Sequence, residues 1–264
     1  MTTTLTRRAG ALALIAATAV TTLTGCAGVI GARMTYDDTE KTKITEIRLD
    51  GGSGDVAIRT AAVSETSVKR VIRRSSGDPG PSYRLDGSVM MIDTSCGDNC
   101  SASYEIVAPA GVKVSGEQRS GDLLFDAVGD TDIKLTSGDV HLVDPTGLVK
   151  LRATSGDIRV INAKKAVEVQ STSGDIEAID IAAPVTLKVT SGDIRAVLST
   201  VNSVTAQTTS GDVHVQVPQG SYKIVSSTST GSGDYAVQRL TNDPGAKNEI
   251  NVRTASGDAV VVGS

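Results

Sequence analysis

The sequence predicts an all-β fold: a right-handed parallel β-solenoid of two-strand coils, about 18 residues each, with Ser-Gly-Asp corners. Three observations predict it. Ser-Gly-Asp recurs at nearly constant spacing, the residues on both sides of it alternate apolar and polar, and the chain is almost without aromatic residues. Aligned on the aspartate, Asp122, Asp139, Asp157, Asp175, Asp193 and Asp212 follow one another at 17, 18, 18, 18 and 19 residues. Looser copies end at Asp234 and Asp258, and one ending at Asp55 precedes them. A meander tolerates loops of changing length. Stacked coils do not, so the constant period favours the stack.

Within each unit the strand before the corner has one apolar face. Val149, Leu151 and Ala153 are matched by Val167, Val169 and Ser171, and by Val185, Leu187 and Val189. Lys150, Arg152, Glu168, Gln170, Thr186 and Lys188 lie between them, which is a period of two and hence a strand with one buried side. After the corner, Val140, Ile158, Ile176, Ile194 and Val213 resume the inward set, while His141, Arg159, Glu177, Arg195 and His214 point outward. The second corner is looser: DPTG at 144–147, NAKK at 162–165, AAP at 182–184. A chain with no Trp, one Phe (Phe125) and five Tyr must build its core from Val, Ile, Leu and Ala. Two sheets about 10 Å apart suit that inventory. Crossovers between parallel strands are right-handed almost always, which sets the expected hand.

The solenoid is expected over residues 112–264. Residues 43–111 repeat the grammar in ITEIRLDGGSGDVAI, with Ile47, Leu49, Val56 and Ile58 inward, and are then interrupted by RRSSGDPGPS and CGDNC. They read as an N-terminal β region that starts and covers the stack, since a bare end coil exposes backbone and core. AVVVGS shows no capping helix and leaves the other end open.

The first 25 residues read as an export signal: Arg7 and Arg8, an apolar run from Ala9 to Leu23, then small residues. Leu23-Thr24-Gly25-Cys26 resembles a bacterial lipobox, which implies lipid (palmitate among the acyl chains) on Cys26 and a membrane-anchored, cell-envelope lipoprotein. The competing reading is an ordinary signal peptide cut near Ala27. Residues 26–42 are polar and read as a tether. Arg7 and Arg8 leave with the signal, taking the formal charge from −4 to −6, so nucleic acid is not an expected partner.

Cys96 and Cys100 remain once Cys26 is set aside. Outside the cytoplasm so close a pair is expected to form a disulfide, pinning a hairpin tip. A CxxxC metal half-site and free thiols are the competing states. No histidine or third cysteine lies nearby in sequence.

The aspartates pose the functional question. A sharp corner needs a residue that accepts positive φ, which glycine supplies, and Ser and Asp side chains bond to the backbone that the bend exposes. The Asp122–Asp212 column is therefore expected to be structural. Calcium is the sharper alternative, because stacking would repeat the carboxylates at about 4.8 Å. Only one corner per coil carries an acid, so each ion would lack ligands, and no cofactor is expected. An enzyme needs one coil that differs from its neighbours, and these corners are alike. His141 and His214 fall about 19 Å apart, four coils from each other.

An exported chain with repeated [ST]-SGD-[VI] corners resembles the bacterial β-strand-repeat family known as "putative adhesins" of unknown function, over about residues 43–264. The resemblance implies an envelope-associated solenoid-like domain, in some members linked with envelope stress, and carries no catalytic residues. The function expected is a non-enzymatic interaction surface that meets cell-wall polymer or an envelope or surface protein. The alternatives are an accessory or sensor component of an envelope-stress system, and a glycan-acting β-solenoid enzyme.

Overall fold

The computed structural model describes residues 32–74, 80–96, 100–228 and 234–264. The signal at 1–25 and Cys26 lie outside the described residues. The described residues form strands and turns and contain no helix. In chain order the first strands are β1 (Ala32–Glu40), β2 (Glu46–Gly52), β3 (Val56–Ala61), β4 (Thr66–Arg74), β5 (Arg84–Asp86), β6 (Val89–Thr94) and β7 (Cys100–Pro109). Six regular coils follow: β8 (Lys113–Ser120) with β9 (Leu123–Asp126), β10 (Thr131–Ser137) with β11 (Val140–Val143), β12 (Val149–Ser155) with β13 (Ile158–Ile161), β14 (Val167–Ser173) with β15 (Ile176–Ile181), β16 (Val185–Ser191) with β17 (Ile194–Leu198), and β18 (Val204–Ser210) with β19 (Val213–Val217). The chain then forms β20 (Tyr222–Thr228), β21 (Tyr235–Gln238), β22 (Asn248–Thr254) and β23 (Ala259–Gly263).

These strands make two sheets. Sheet A has 12 strands in the order β1-β4-β7-β3-β9-β11-β13-β15-β17-β19-β23-β21, and sheet B has 11 in the order β20-β22-β18-β16-β14-β12-β10-β8-β2-β6-β5. Each coil gives its first strand to sheet B and its second to sheet A. Neighbouring coils pair in parallel and in register, so Val149 meets Val167, Val167 meets Val185, and Val185 meets Val204. In-register stacking puts like side chains on like, and the inward residues of both sheets form one core. Leu151, Val169, Leu187, Ala206, Val160, Ala178, Ala196 and Val215 are all buried in it. Each large aliphatic contributes about 1.5–3 kcal/mol by leaving water.

The corners explain the glycines. Gly174 has φ +104°, and a Cβ there would lie 2.2 Å from the carbonyl oxygen of Gly156 in the preceding coil. Positive φ and the approach of the next backbone each select glycine alone.

Three expectations are corrected. Residues 32–40 of the proposed tether are a strand: β1 pairs antiparallel with β4, which pairs antiparallel with β7. The pair Cys96–Cys100 is a disulfide, but it closes no hairpin tip. It joins β6 in sheet B to β7 in sheet A, at the corner where other coils carry Ser-Gly-Asp. The parallel stack begins before residue 112, with β2 and β3 pairing in parallel with β8 and β9. Finally, coil order departs from chain order at both ends. The coil of β2 and β3 sits inside that of β6 and β7, and the coil of β22 and β23 sits inside that of β20 and β21. AVVVG is thus an interior strand. On the outer flank of β20, Asp243 N–H donates to the Tyr222 carbonyl at 2.8 Å, and Asn242 Oδ1 accepts from Ile224 N–H at 2.9 Å.

Candidate interaction faces

The aspartates do line up. Each Oδ1 accepts a hydrogen bond from the backbone N–H of the aspartate in the next coil: Asp55 from Asp122 at 3.1 Å, Asp122 from Asp139 at 3.0 Å, Asp139 from Asp157 at 2.8 Å, and Asp157 from Asp175 at 2.9 Å. The ladder continues from Asp175 to Asp193 at 2.8 Å, Asp193 to Asp212 at 2.7 Å, Asp212 to Asp258 at 2.8 Å and Asp258 to Asp234 at 2.9 Å. Bonding to amides is what lets carboxylates stand one strand spacing apart. Among the described residues no group of three or more His, Cys, Asp or Glu is placed to hold a metal ion.

Beside this ladder, on the outside of sheet A, runs a groove of about 460 Å³ lined by Asp157, Asp175, Asp193, Arg159, Arg195 and His214. The acids and arginines that the sequence placed outward do share one surface. Arg159 pairs with Glu177 at 2.8 Å, and Arg195 approaches the same carboxylate at 4.0 Å. Burial holds the His214 imidazole below its usual pKa, and the Arg195 guanidinium pushes it further the same way. His141 lies on β11 and His214 on β19, four coils apart, so they act separately.

Sequence reasoning missed the next row. Val143, Ile161, Ile179 and Val197 stand in register on the outer side of sheet A, each partly exposed. They form an apolar rail bounded by Asp126 at one end and Gln216 at the other. The signal was present: each rail residue lies four positions after its aspartate. A short apolar run reads as core when only one of its faces is expected outside.

Sheet B presents the opposite character. Lys134, Arg152, Gln170, Lys188, Gln207 and Arg253 pair in one outward row, five positions before successive aspartates. Beside it run Asp132, Lys150, Glu168, Thr186, Thr205 and Asn251. Lys188 forms no ion pair among the described residues.

Solved structures similar to the chain include one from Clostridium sporogenes described as a "putative cell adhesion protein", at 12% identity and a TM-score of 0.29, covering 88% of this chain and 100% of that one. A "putative adhesin" from Bacteroides fragilis is 13% identical at a TM-score of 0.42, covering 88% and 97%. Another "putative adhesin", from Parabacteroides merdae, is 13% identical at a TM-score of 0.46, covering 89% and 97%. No curated protein matches the chain. One family model, however, matches residues 34–181 and 163–261, nearly all of the strand-forming part. The chain belongs to the Toastrack DUF4097 family.

Proposed function

We propose that this is an exported envelope protein, held to the membrane by lipid on Cys26, whose stack of coils is a non-enzymatic, adhesin-like binding surface for cell-wall polymer. In this reading residues 1–25 are the signal, and the coils wind right-handed, as parallel crossovers do. One observation carries it: the row Lys134, Arg152, Gln170, Lys188, Gln207, Arg253 on sheet B. Four cations and two amides stand one strand spacing apart on a chain that carries net negative charge; Glu117 ends the row and pairs with Lys134, and Asp132 of the adjacent row pairs with Arg152. Such a row offers evenly spaced donors to an anionic, hydroxyl-rich polymer, and many weak contacts sum when the ligand also repeats. The aspartate ladder supports the non-enzymatic part, because each ladder carboxylate already holds the next coil in place. The test is co-sedimentation of the purified protein with isolated cell-wall fractions. Binding is expected that falls with salt and is lost in Arg152→Glu/Lys188→Glu. Equal binding by that variant, or enrichment of one membrane protein in place of wall material, overturns the reading.

A further inference from the structure

We propose that the outer face of sheet A is a self-association surface, on which a second copy of the chain packs face to face about a two-fold axis running along the strands between β13 and β15. This stands independently of wall binding, which uses the opposite sheet.

Strand formation does not require the apolar rail. On sheet B the equivalent outward rows are Lys, Arg, Gln, Thr and acids, and those strands are at least as long. No element among the described residues forms a third layer over the rail, since every strand belongs to one of the two sheets. Four β-branched or aliphatic side chains at about 4.8 Å intervals thus make a stripe about 19 Å long, ended by a carboxylate and an amide.

What commits the occupant to a second copy is the order of residues along the two rows. A two-fold axis along the strands keeps each row opposite itself and reverses the order of coils. With the axis between β13 and β15, Val143 meets the partner's Val197 and Ile161 meets the partner's Ile179. In the adjacent row, Arg159 then meets the partner's Glu177, and Glu177 meets the partner's Arg159. At the ends, Asp126 meets the partner's Gln216, a carboxylate opposite an amide donor. Moving the axis onto β15 sets Glu177 against itself and Arg159 against the partner's Arg195. Moving it onto β13 sets Arg159 against itself. Moving it to lie between β15 and β17 sets Ile161 against Gln216. Of these positions only the first keeps the four rail residues opposite one another while setting Arg159 against Glu177; Arg195 then faces the partner's His141, and Leu124 the partner's His214.

Six coils of this face cover about 29 Å by 15 Å, about half of what one side of a stable complex buries. The association is therefore weak in dilute solution and gains from confinement to a surface.

The test is disulfide trapping in the full chain carrying Cys26→Ser, so that the introduced cysteines are the free thiols beside the Cys96–Cys100 disulfide. Val143→Cys and Val197→Cys are three coils apart within one chain, too far to bond to each other. Under mild oxidation the double variant is expected to form covalent dimers. An equimolar mixture of the two single variants is expected to form them too, and each single variant alone is not. In parallel, Ile161→Lys/Ile179→Lys should raise the dimer dissociation constant in sedimentation by about a hundredfold or more with an unchanged circular-dichroism spectrum. Trapping by each single variant with itself, no trapping by the mixture, or association untouched by the lysines overturns the proposal. Loss of wall binding with self-association intact counts against the sheet B reading alone.

Discussion

Asp175 Oδ1 accepts from the N–H of Asp193 at 2.8 Å, while the N–H of Asp175 itself donates to Asp157 Oδ1 at 2.9 Å. One residue type is thus donor to one neighbour and acceptor from the other, and the repeated motif ties each coil to the next. Asp175→Ala should lower stability by about 1 kcal/mol, and Asp175→Asn, which keeps an acceptor oxygen, by less. Thermal melts of both variants check this. A chelator should leave the wild-type melt unmoved, as no ion is needed to hold these carboxylates.

The glycine beside it should matter more. Gly174→Ala places a methyl 2.2 Å from the Gly156 oxygen at φ +104°. Strain and overlap together should cost about 3 kcal/mol or more, because the obstacle is backbone and cannot rotate away. Urea unfolding should show the loss as a lower midpoint.

Arg70 is buried, with its guanidinium donating to the carbonyls of Pro81 at 2.8 Å and Gly80 at 2.7 Å and lying 5.0 Å from the centre of the Tyr36 ring. It fastens β4, β1 and the 80–82 segment into one cover over the first coils. Arg70→Ala should cost about 3 kcal/mol. Arg70→Lys should recover only part of it, since an ammonium cannot serve two carbonyls in a fork. Limited proteolysis should then cut first between residues 32 and 74.

The tyrosines set the alkaline limit. Burial, and then the hydrogen bond to Glu40 at 3.0 Å, push the Tyr83 hydroxyl up to about 12 from 10. A folded pKa above the unfolded one means the contribution is complete below pH 10 and is lost as pH rises from 10 to about 12. Burial raises Tyr104 and Tyr222 in the same direction. Tyr83→Phe should move alkaline unfolding to higher pH and remove a late component from the phenolate absorbance titration.

His214 works with the other sign. Its folded pKa lies below 6.5, so stability is complete above 6.5 and declines as pH falls through 6.5 toward the folded value. A proton NMR titration should place His214 below the ordinary range. Arg195→Leu should restore part of the difference, because burial is the larger cause.

The interior was legible from period two alone: Val149, Leu151, Val167, Val169, Val185 and Leu187 are all buried as their alternation requires. β1 was not legible, and the reason is chemical. Its half-buried positions are Met34, Tyr36, Asp38 and Glu40, and the two acids are matched by Ser82 Oγ at 2.6 Å and the Tyr83 hydroxyl at 3.0 Å. An inward acid with a partner erases the hydropathy signal of an inward position. Neighbour order at the ends was equally hidden. When every coil carries the same corner, any coil can bond to any other, and Asp212 bonds to Asp258 as readily as a consecutive copy would have bonded to Asp234. The rail and the basic row were readable position by position, but only once each sheet was known to have an outer face of its own.

The interleaved coils make assembly depend on residues not yet made. β21 has β23 as its strand partner, and β20 has β22. Both partners emerge from the ribosome after the strands that need them. Because β22 and β23, made last, are what pair with β18 and β19, the coil of β20 and β21 has no place in either sheet until they are present.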